Sequence, residues 1–215
     1  MNKPRKLKHK VISIQSQKRR KNRFTVTFDS GNVFGVSGDV LLSNPLQVDQ
    51  VLTDEELVDF QNEESLQTIR RQTLNLLSFR MRSSAELTLR LKQKGHNLEQ
   101  ISVILDELKS KGYVNDFEFA TLFIKDCVER KKLGRMAVLN QIHGHQIPNE
   151  VLDPILDLLY DKNPTEDLIS SIILNFMKNR KSSVKERERL VGHLKRKGYS
   201  WADIEPVVNS LEWKM

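Results

Sequence analysis

Cysteine and long apolar runs are scarce in this sequence, and each scarcity excludes a class of protein. The 215 residues include one cysteine, Cys127, so no internal disulfide can form and a reducing cytoplasm is expected. No apolar run approaches the ~18 residues that a membrane-spanning helix needs. The basic N-terminus leads into no apolar signal core. We therefore expect a cytoplasmic protein without a membrane segment, in which Cys127 is packed rather than nucleophilic.

Catalytic and metal-binding signatures are also missing. The sequence contains no Walker loop, no Ser-His-Asp order, no zinc ligand set and no clustered carboxylate pair. His143 and His145 flank a glycine, but they lack nearby Cys or carboxylate partners, so they indicate exposed turn residues rather than metal ligands. The sequence thus predicts no enzyme, no cofactor and no metal site.

Charge is segregated along the chain, although the net charge is only +7. Residues 1–28 carry ten Lys or Arg and no acid, whereas residues 29–69 carry nine acids and no Lys or Arg. The remaining residues, 70–215, carry 25 basic and 19 acidic side chains. Such blocks are typical of a basic arm, an acidic linker and a mildly basic body. The arm is either a solvated tail or a segment that interacts with a partner.

Short β-strands are predicted near the N-terminus. Apolar residues mark three of them, KVISIQSQ (10–17), RFTVTF (23–28) and VFGV (33–36). The turn signal DSGN (29–32) separates the second strand from the third. The basic stretch KRRKN (18–22) would project from the first hairpin. A three-stranded element of this size needs something to pack on.

From residue 53 onward the apolar period is helical. Thr53 and Glu56 form a capping-box pattern that opens a short acidic helix. The prolines of the helical region, at positions 148, 154, 164 and 206, are expected at helix starts or first turns. We divide the chain into a basic arm with short strands, an acidic helix or linker and three three-helix repeats, over residues 1–52, 53–63, 64–114, 115–163 and 164–215.

A template of about 50 residues recurs three times, which is the length of a helical repeat. Leu91, Ile142 and Leu194 are equivalent positions, 51 and 52 residues apart. Apolar residues stand at matching offsets around each of them, and their 3, 4, 3 spacing marks one face of a helix. Stacked units of this kind form an elongated, curved body that offers its surface to a long partner. The pattern predicts a mainly α fold that acts by contact.

Helix boundaries recur with the template. Gly95 and Gly198 stand in KQKGHN and KRKGYS, where glycine ends a helix in the left-handed conformation. Asn97 and Ser200 follow as N-caps of the next helix. The second copy departs from the pattern because Gln146 stands where the glycine is expected. The turn there must be made differently.

Four segments resemble the RecX family of RecA regulatory proteins. They are RSSAELTLRLKQKGH (82–96), ILDELKSKGYVNDFEFA (104–120), KLGRMAVLNQIHGHQIPNEVL (132–152) and LKRKGYSWADI (194–204). The resemblance covers about residues 66–213, with Asn115-Asp116 in place of the family's paired aspartate. It implies a monomeric protein that binds the RecA recombinase filament on single-stranded DNA. Such a protein modulates, and mostly inhibits, the filament's ATPase, strand-exchange and coprotease activities.

Basic residues cluster at helix ends and turns, and we predict that they form a stripe facing nucleic acid or an acidic filament surface. The alternative is ordinary solvated helix faces, with cations favoured near helix C-termini. Arg82 and Arg135 are the better candidates, because they stand near helix starts, where a cation is unfavourable. The full set is Arg70, Arg71, Arg80, Arg82, Arg90, Lys92, Lys94, Arg130, Lys131, Lys132, Arg135, Lys195, Arg196 and Lys197.

A DNA-binding protein of helix-turn-helix type, acting without a recombinase, is the alternative function. A helix, a Lys-Gly turn and a second helix have the local form of that motif. The helix after each turn is acidic or neutral outside, however, which suits protein contact better than a DNA major groove. These helices read NLEQISVILDEL, PNEVLDPILDLL and SWADIEPVVNSL. The sequence therefore favours the recombinase regulator, with single- or double-stranded DNA contact through basic patches as a possible addition.

Overall fold

A computed structural model describes residues 8–19 and 21–213. The predicted arm before residue 8, and Arg20 of the basic hairpin stretch, lie outside the described residues. The chain divides into two compact units. Within the described residues, unit 1 runs to Arg80 and resumes over Leu87–Tyr113, and unit 2 comprises Met81–Glu86 and the chain from Val114 onward.

Unit 1 begins with an antiparallel sheet of four strands in the described residues. The strands are β1 (Lys8–Ser16), β2 (Arg23–Phe28), β3 (Val33–Ser37) and β4 (Val51–Thr53), in the order β3-β2-β1-β4. The three strands expected from the sequence are confirmed. β4 was not expected, because three residues are too few to show an alternating pattern. A short helix, α1 (Gly38–Ser43), follows β3.

The sheet packs its apolar face against the helix α2 (Asp54–Leu77). Val11, Val26 and Phe28 are fully buried on the sheet side, and Leu57 and Phe60 meet them from the helix. Thr53 caps α2 with the full capping box expected from the sequence. Because no Gly or Pro interrupts α2 over its 24 residues, the acidic helix expected over residues 53–63 is not a separate element.

The remaining chain is helical, so the mainly α fold with a small N-terminal sheet is confirmed. The helices after α2 are α3 (Ser84–Gln93), α4 (Leu98–Ser110), α5 (Asp116–Lys125), α6 (Arg135–Ile142), α7 (Asn149–Lys162), α8 (Thr165–Met177), α9 (Val184–Arg196) and α10 (Trp201–Asn209). A π-helical turn, Asp126–Arg130, extends α5, and a 3₁₀ turn, His143–His145, follows α6. The three predicted repeats correspond to α2 to α4, α5 to α7 and α8 to α10.

The repeated apolar template forms the cores of the helices. Leu91, Ile142 and Leu194 are each buried, as their shared offset predicts. Cys127 is fully buried in the core of unit 2, and burial raises the pKa of its thiol, as expected for a packed cysteine. No helix among the described residues is long and apolar enough to cross a membrane.

The turns show which sequence signals predicted the backbone conformation correctly. Gly95 and Gly198 both adopt the predicted left-handed conformation, with φ near +87° and +88°. In the second repeat Gln146 takes the same region, at φ +53°, directly after the 3₁₀ turn. The prediction for two prolines was wrong, because Pro154 and Pro206 lie inside α7 and α10. These helices begin several residues earlier, at the caps before Asn149 and Trp201.

Candidate functional site

The predicted cations of unit 1 comprise the half-buried Arg70 and five exposed residues. Arg70 is paired: its guanidinium donates to both carboxylate oxygens of Glu107, at 2.6 Å from Nη2 to Oε2. Lys111 donates to the same carboxylate. Arg70 therefore holds α2 against α4, and its charge is engaged within the unit. The exposed residues are Arg71, Arg80, Arg90, Lys92 and Lys94.

The Arg70–Glu107 pair predicts a specific pH dependence. Hydrogen bonds from Arg70 and then Lys111 lower the pKa of Glu107 from 4.5 to about 2. A depressed carboxyl pKa contributes stability above the unfolded pKa, and that stability is lost as pH falls from about 4.5 towards 2. We expect Glu107→Gln to reduce the free energy of unfolding by about 1 kcal/mol at pH 7, after allowing for solvent screening.

Urea denaturation of both proteins at pH 7, 4 and 2.5 measures this effect. The difference between the wild type and Glu107→Gln should shrink as pH falls, because protonation removes the same charge from the wild type. A difference that stays constant down to pH 2.5 would show that Glu107 does not act through its charge.

In unit 2, Arg82 lies in the interior. Arg82 as a whole is 8% exposed, and its guanidinium forms an ion pair with Glu86, one helical turn later in the chain. Ser83 beside it is fully buried. A guanidinium held in this way stabilises the start of α3 and presents little surface to a partner, although its predicted partner contact stays untested.

Two loops of unit 2 bring several of the predicted cations together. We call residues 130–134 and 195–199 the basic loop pair. Nζ of Lys197 donates to the carbonyl oxygen of Lys131 at 2.7 Å, and the amide of Gly134 donates to the carbonyl of Lys197 at 2.8 Å. Burial, and then repulsion from Lys132, lower the pKa of Lys197. Lysines from two different repeats therefore share one surface.

Two tyrosines hold the first loop in place. The hydroxyl of Tyr160 donates to the carbonyl of Leu133 at 2.7 Å, and the hydroxyl of Tyr199 donates to that of Lys132 at 3.0 Å. Burial raises the pKa of both phenols, so they remain hydrogen-bond donors at neutral pH. Sequence reasoning missed these hydrogen bonds, because the sequence showed Tyr199 only as one of the apolar positions of the repeated template.

Glycines allow the two loops to touch. A Cβ on Gly198 would lie 2.5 Å from the Cβ and the amide nitrogen of Ala137, at the start of α6. A Cβ on Gly134 would overlap the carbonyl group of Gly198. The loops are therefore in backbone contact, and Lys132, itself in the left-handed region at φ +51°, is fixed on a rigid support.

The other predicted cations of unit 2 differ in how far they are engaged. Arg130 and Lys131 both pair with Asp126, whose pKa their hydrogen bonds lower to about 2. Arg135 bridges Asp153 and Asp157 on α7. Lys195 lies over the ring of Trp201, and Arg196 is exposed. Immobilised cations of this kind suit carboxylate or phosphate groups, and α7 presents acids beside them.

The two histidines around Gly144 have different environments. His143 is exposed, as expected. His145 is half-buried: its Nδ1 lies 2.7 Å from Oγ of Ser83, and its ring packs on Phe119 at 4.6 Å between centroids. The expectation of an exposed turn residue was therefore wrong for His145. Among the described residues no group of three His, Cys, Asp or Glu side chains could hold a metal ion.

Comparison with known proteins shows which proteins this chain resembles. The family description "RecX, first three-helix domain" matches residues 70–113. The chain is 25% identical to "Regulatory protein RecX" of Bacillus subtilis (strain 168), over 95% of its length and 78% of that protein. It is 27% identical to the Listeria welshimeri protein of the same name, over 89% of this chain and 71% of that one. The chain is similar to RecX regulatory proteins over most of its length.

Solved structures support the same fold for this chain. It matches a "Crystal structure of regulatory protein RecX" with a TM-score of 0.69 and 20% identity, over 94% of this chain and 99% of that one. A RecX structure from Lactobacillus salivarius matches with a TM-score of 0.58 and 19% identity, over 69% and 97%. The two curated relatives above are regulatory proteins by name.

The departure of this chain from the RecX motif, at Asn115-Asp116, proves to be structural. Asn115 caps α5, accepting from the amide of Glu118 at 3.1 Å. Asp116 accepts from the amide and the hydroxyl of Ser84, at 2.7 and 2.6 Å. An Asn-Asp pair thus caps one helix and ties it to the start of another, and an asparagine is as good an N-cap as an aspartate.

Proposed function

We propose that this protein binds the RecA recombinase filament on single-stranded DNA and inhibits its ATPase, strand-exchange and coprotease activities. The observation that carries the proposal is sequence similarity to a RecX regulatory protein along 95% of the chain. A protein that acts by contact also suits a chain whose described residues form repeated helical units. Several weak contacts on successive filament subunits then act together through effective concentration.

The surface chemistry supports a protein partner over direct reading of DNA. The third helix of the second repeat, α7, exposes Asp153, Asp157 and Asp161, at a spacing of four residues. A row of carboxylates on one face repels phosphates, so this helix does not suit a DNA major groove. The basic loop pair lies in the same unit, which therefore offers both signs of charge to a protein surface.

ATP hydrolysis by the cognate recombinase on single-stranded DNA tests the proposal. We expect the full-length protein to reduce hydrolysis when it is present at well below one molecule per recombinase subunit. Replacing Lys132 by Asn, which tolerates the left-handed region, together with Arg196→Gln should raise the half-inhibiting concentration about fivefold, because two partner contacts are lost. Replacing Lys162 and Lys178, both exposed, by Gln is the charge-matched control.

Two results would overturn the proposal. Hydrolysis unaffected at equimolar protein would exclude inhibition of the filament. If the protein then bound duplex DNA with steep salt dependence, the helix-turn-helix alternative would replace it.

A further inference from the structure

A cleft in unit 1 lies beside the core that the sheet forms with α2. It has a volume of about 260 Å³ and lies between the sheet, α2 and the turn that joins α3 to α4. Phe34 lines it from β3 and the largely buried Phe60 from α2, and the backbone of Gly35 forms part of the wall. His96 and the exposed amide of Gln61 complete it. The volume lies below the ~300–1,000 Å³ of pockets for drug-sized ligands, and so suits a single planar ring.

The hairpin turn between β1 and β2 forms a basic flank of this cleft. The turn leads into Arg23, which lines the cleft and donates to the carbonyl of Gly35 at 3.1 Å. Its neighbours Lys18, Arg19 and Lys21 are exposed and form no ion pair within the described residues. The turn thus offers cations to a ligand at the mouth of the cleft.

The same turn is anchored to the fold. The amide of Gln17 donates to the carbonyl of Arg23 at 2.8 Å, which closes the hairpin. Asn22, in the left-handed region at φ +55°, accepts from the amide of Gly38 at 2.9 Å through its carbonyl and donates to Asp39 at 3.2 Å through its side chain. The two ends of the turn, at Gln17 and Asn22, are therefore held by the fold.

The Lys-Gly turn of the first repeat forms the second flank. His96 lines the cleft directly after Lys92, Lys94 and Gly95, and both lysines are exposed. Burial, and then repulsion from Lys94, lower the pKa of His96, so its ring is uncharged at neutral pH. An uncharged imidazole offers a flat face on which an aromatic base can stack.

The one carboxylate that lines the cleft does not oppose an anion. Glu64 accepts from Nη1 of Arg23 at 2.9 Å and from the amide and hydroxyl of Ser37 at 2.7 and 2.9 Å. Its side chain is 13% exposed, and the adjacent guanidinium neutralises its charge. Within the lining the Arg23–Glu64 pair is therefore neutral, and the exposed lysines of the two turns supply positive charge beside it.

We propose that this cleft binds single-stranded nucleic acid, with one unstacked base against Phe34 and His96 and the adjacent phosphates on the two basic turns. Cations that follow the backbone, combined with rings on which bases stack, are the usual means of binding single strands. A duplex keeps its bases stacked and paired, so it could use the turns but not the cleft. The proposal concerns the chain alone and does not depend on recombinase binding.

Fluorescence anisotropy with a labelled 25-nucleotide oligothymidylate, without recombinase, tests the flanks. Lys21→Gln with Lys94→Gln should weaken binding about tenfold at low salt. The slope of log K against log salt should fall by about 1.4, because each lost phosphate contact removes about 0.7. The charge-matched control, Lys162→Gln with Lys178→Gln in unit 2, should leave both quantities unchanged.

A second comparison tests the cleft itself. His96→Ala should bind the oligothymidylate about fivefold more weakly than the wild type, with an unchanged salt slope. On an abasic oligomer of the same length the two proteins should bind equally, since no base is present to stack. A folding defect would instead weaken binding to both oligomers. His143→Ala, at an exposed histidine of unit 2, is the matched control.

The proposal fails on either of two results. Equal or tighter binding of a 25-base-pair duplex would show that the turns bind phosphates without the cleft. Equal loss by the double variant and its control would show that the charge acts non-specifically. Recombinase inhibition that survives in Lys21→Gln with Lys94→Gln leaves the proposed regulatory function intact, so the two proposals can fail separately.

Discussion

Gly198→Ala is expected to destabilise unit 2 by about 3 kcal/mol. Two effects add: a non-glycine residue in the left-handed region costs about 1–2 kcal/mol, and overpacking costs about 1–3 kcal/mol. The overpacking arises because the new methyl group would lie 2.5 Å from the Cβ and amide nitrogen of Ala137. The two loops of the basic loop pair would be forced apart.

Gly95→Ala provides the matched control. Gly95 has nearly the same φ, +87°, at the equivalent turn of the first repeat, but an added Cβ would meet nothing within 4 Å. We expect a cost of about 1 kcal/mol, from the backbone alone. Urea denaturation followed by far-UV circular dichroism reports both units, and tryptophan fluorescence reports unit 2, which contains Trp201 and Trp213. Equal costs at the two glycines would show that the loop contact contributes no stability.

Arg82→Ala is expected to cost about 3 kcal/mol. Removing one partner of a buried ion pair takes away compensation for the charge of the other, and the side chains of Arg82 and Glu86 are only 9% and 14% exposed. Replacing both partners, Arg82→Met with Glu86→Leu, should recover most of the loss, because apolar side chains can fill the site without a desolvated charge.

Arg130→Ala is the control for an exposed pair. Its guanidinium pairs with Asp126 at the same spacing of four residues, but in solvent, so the urea midpoint should hardly move. If Arg82→Ala unfolded at the wild-type midpoint and inhibited the recombinase poorly, Arg82 would be a contact residue, as its position near a helix start suggested.

Sequence reasoning was most successful where a local signal acts alone. Gly95 and Gly198 were found because a Lys-Gly turn after an amphipathic helix requires the left-handed region. The capping box at Thr53 and Glu56 was found because its side chains bond to the backbone next to them. The burial of Leu91, Ile142 and Leu194 followed from a spacing repeated three times. These features depend on residues a few positions apart.

Features that depend on distant residues were not predictable in the same way. No local signal shows that Tyr160 donates to a carbonyl 27 residues earlier, or that His145 meets Ser83, 62 residues away. Arg82 was ranked as a contact residue because a cation near a helix start is unfavourable, but its pairing with Glu86 offsets that cost. The cleft beside His96 was not predictable because its walls come from the sheet, from α2 and from the turn between α3 and α4.

The π-helical turn at Asp126–Arg130 gives the number of residues in this stretch an importance of its own. Such a turn holds one residue more than an α-helical turn. Deleting one residue from a regular turn of α5 would rotate every later position by about 100°. Lys132 would then leave Tyr199, and Leu133 would leave Tyr160. Deleting one residue from the π-helical turn would instead close it to an α-helical turn and leave the later positions facing as they do. A deletion here should therefore harm the protein less than a deletion within α5.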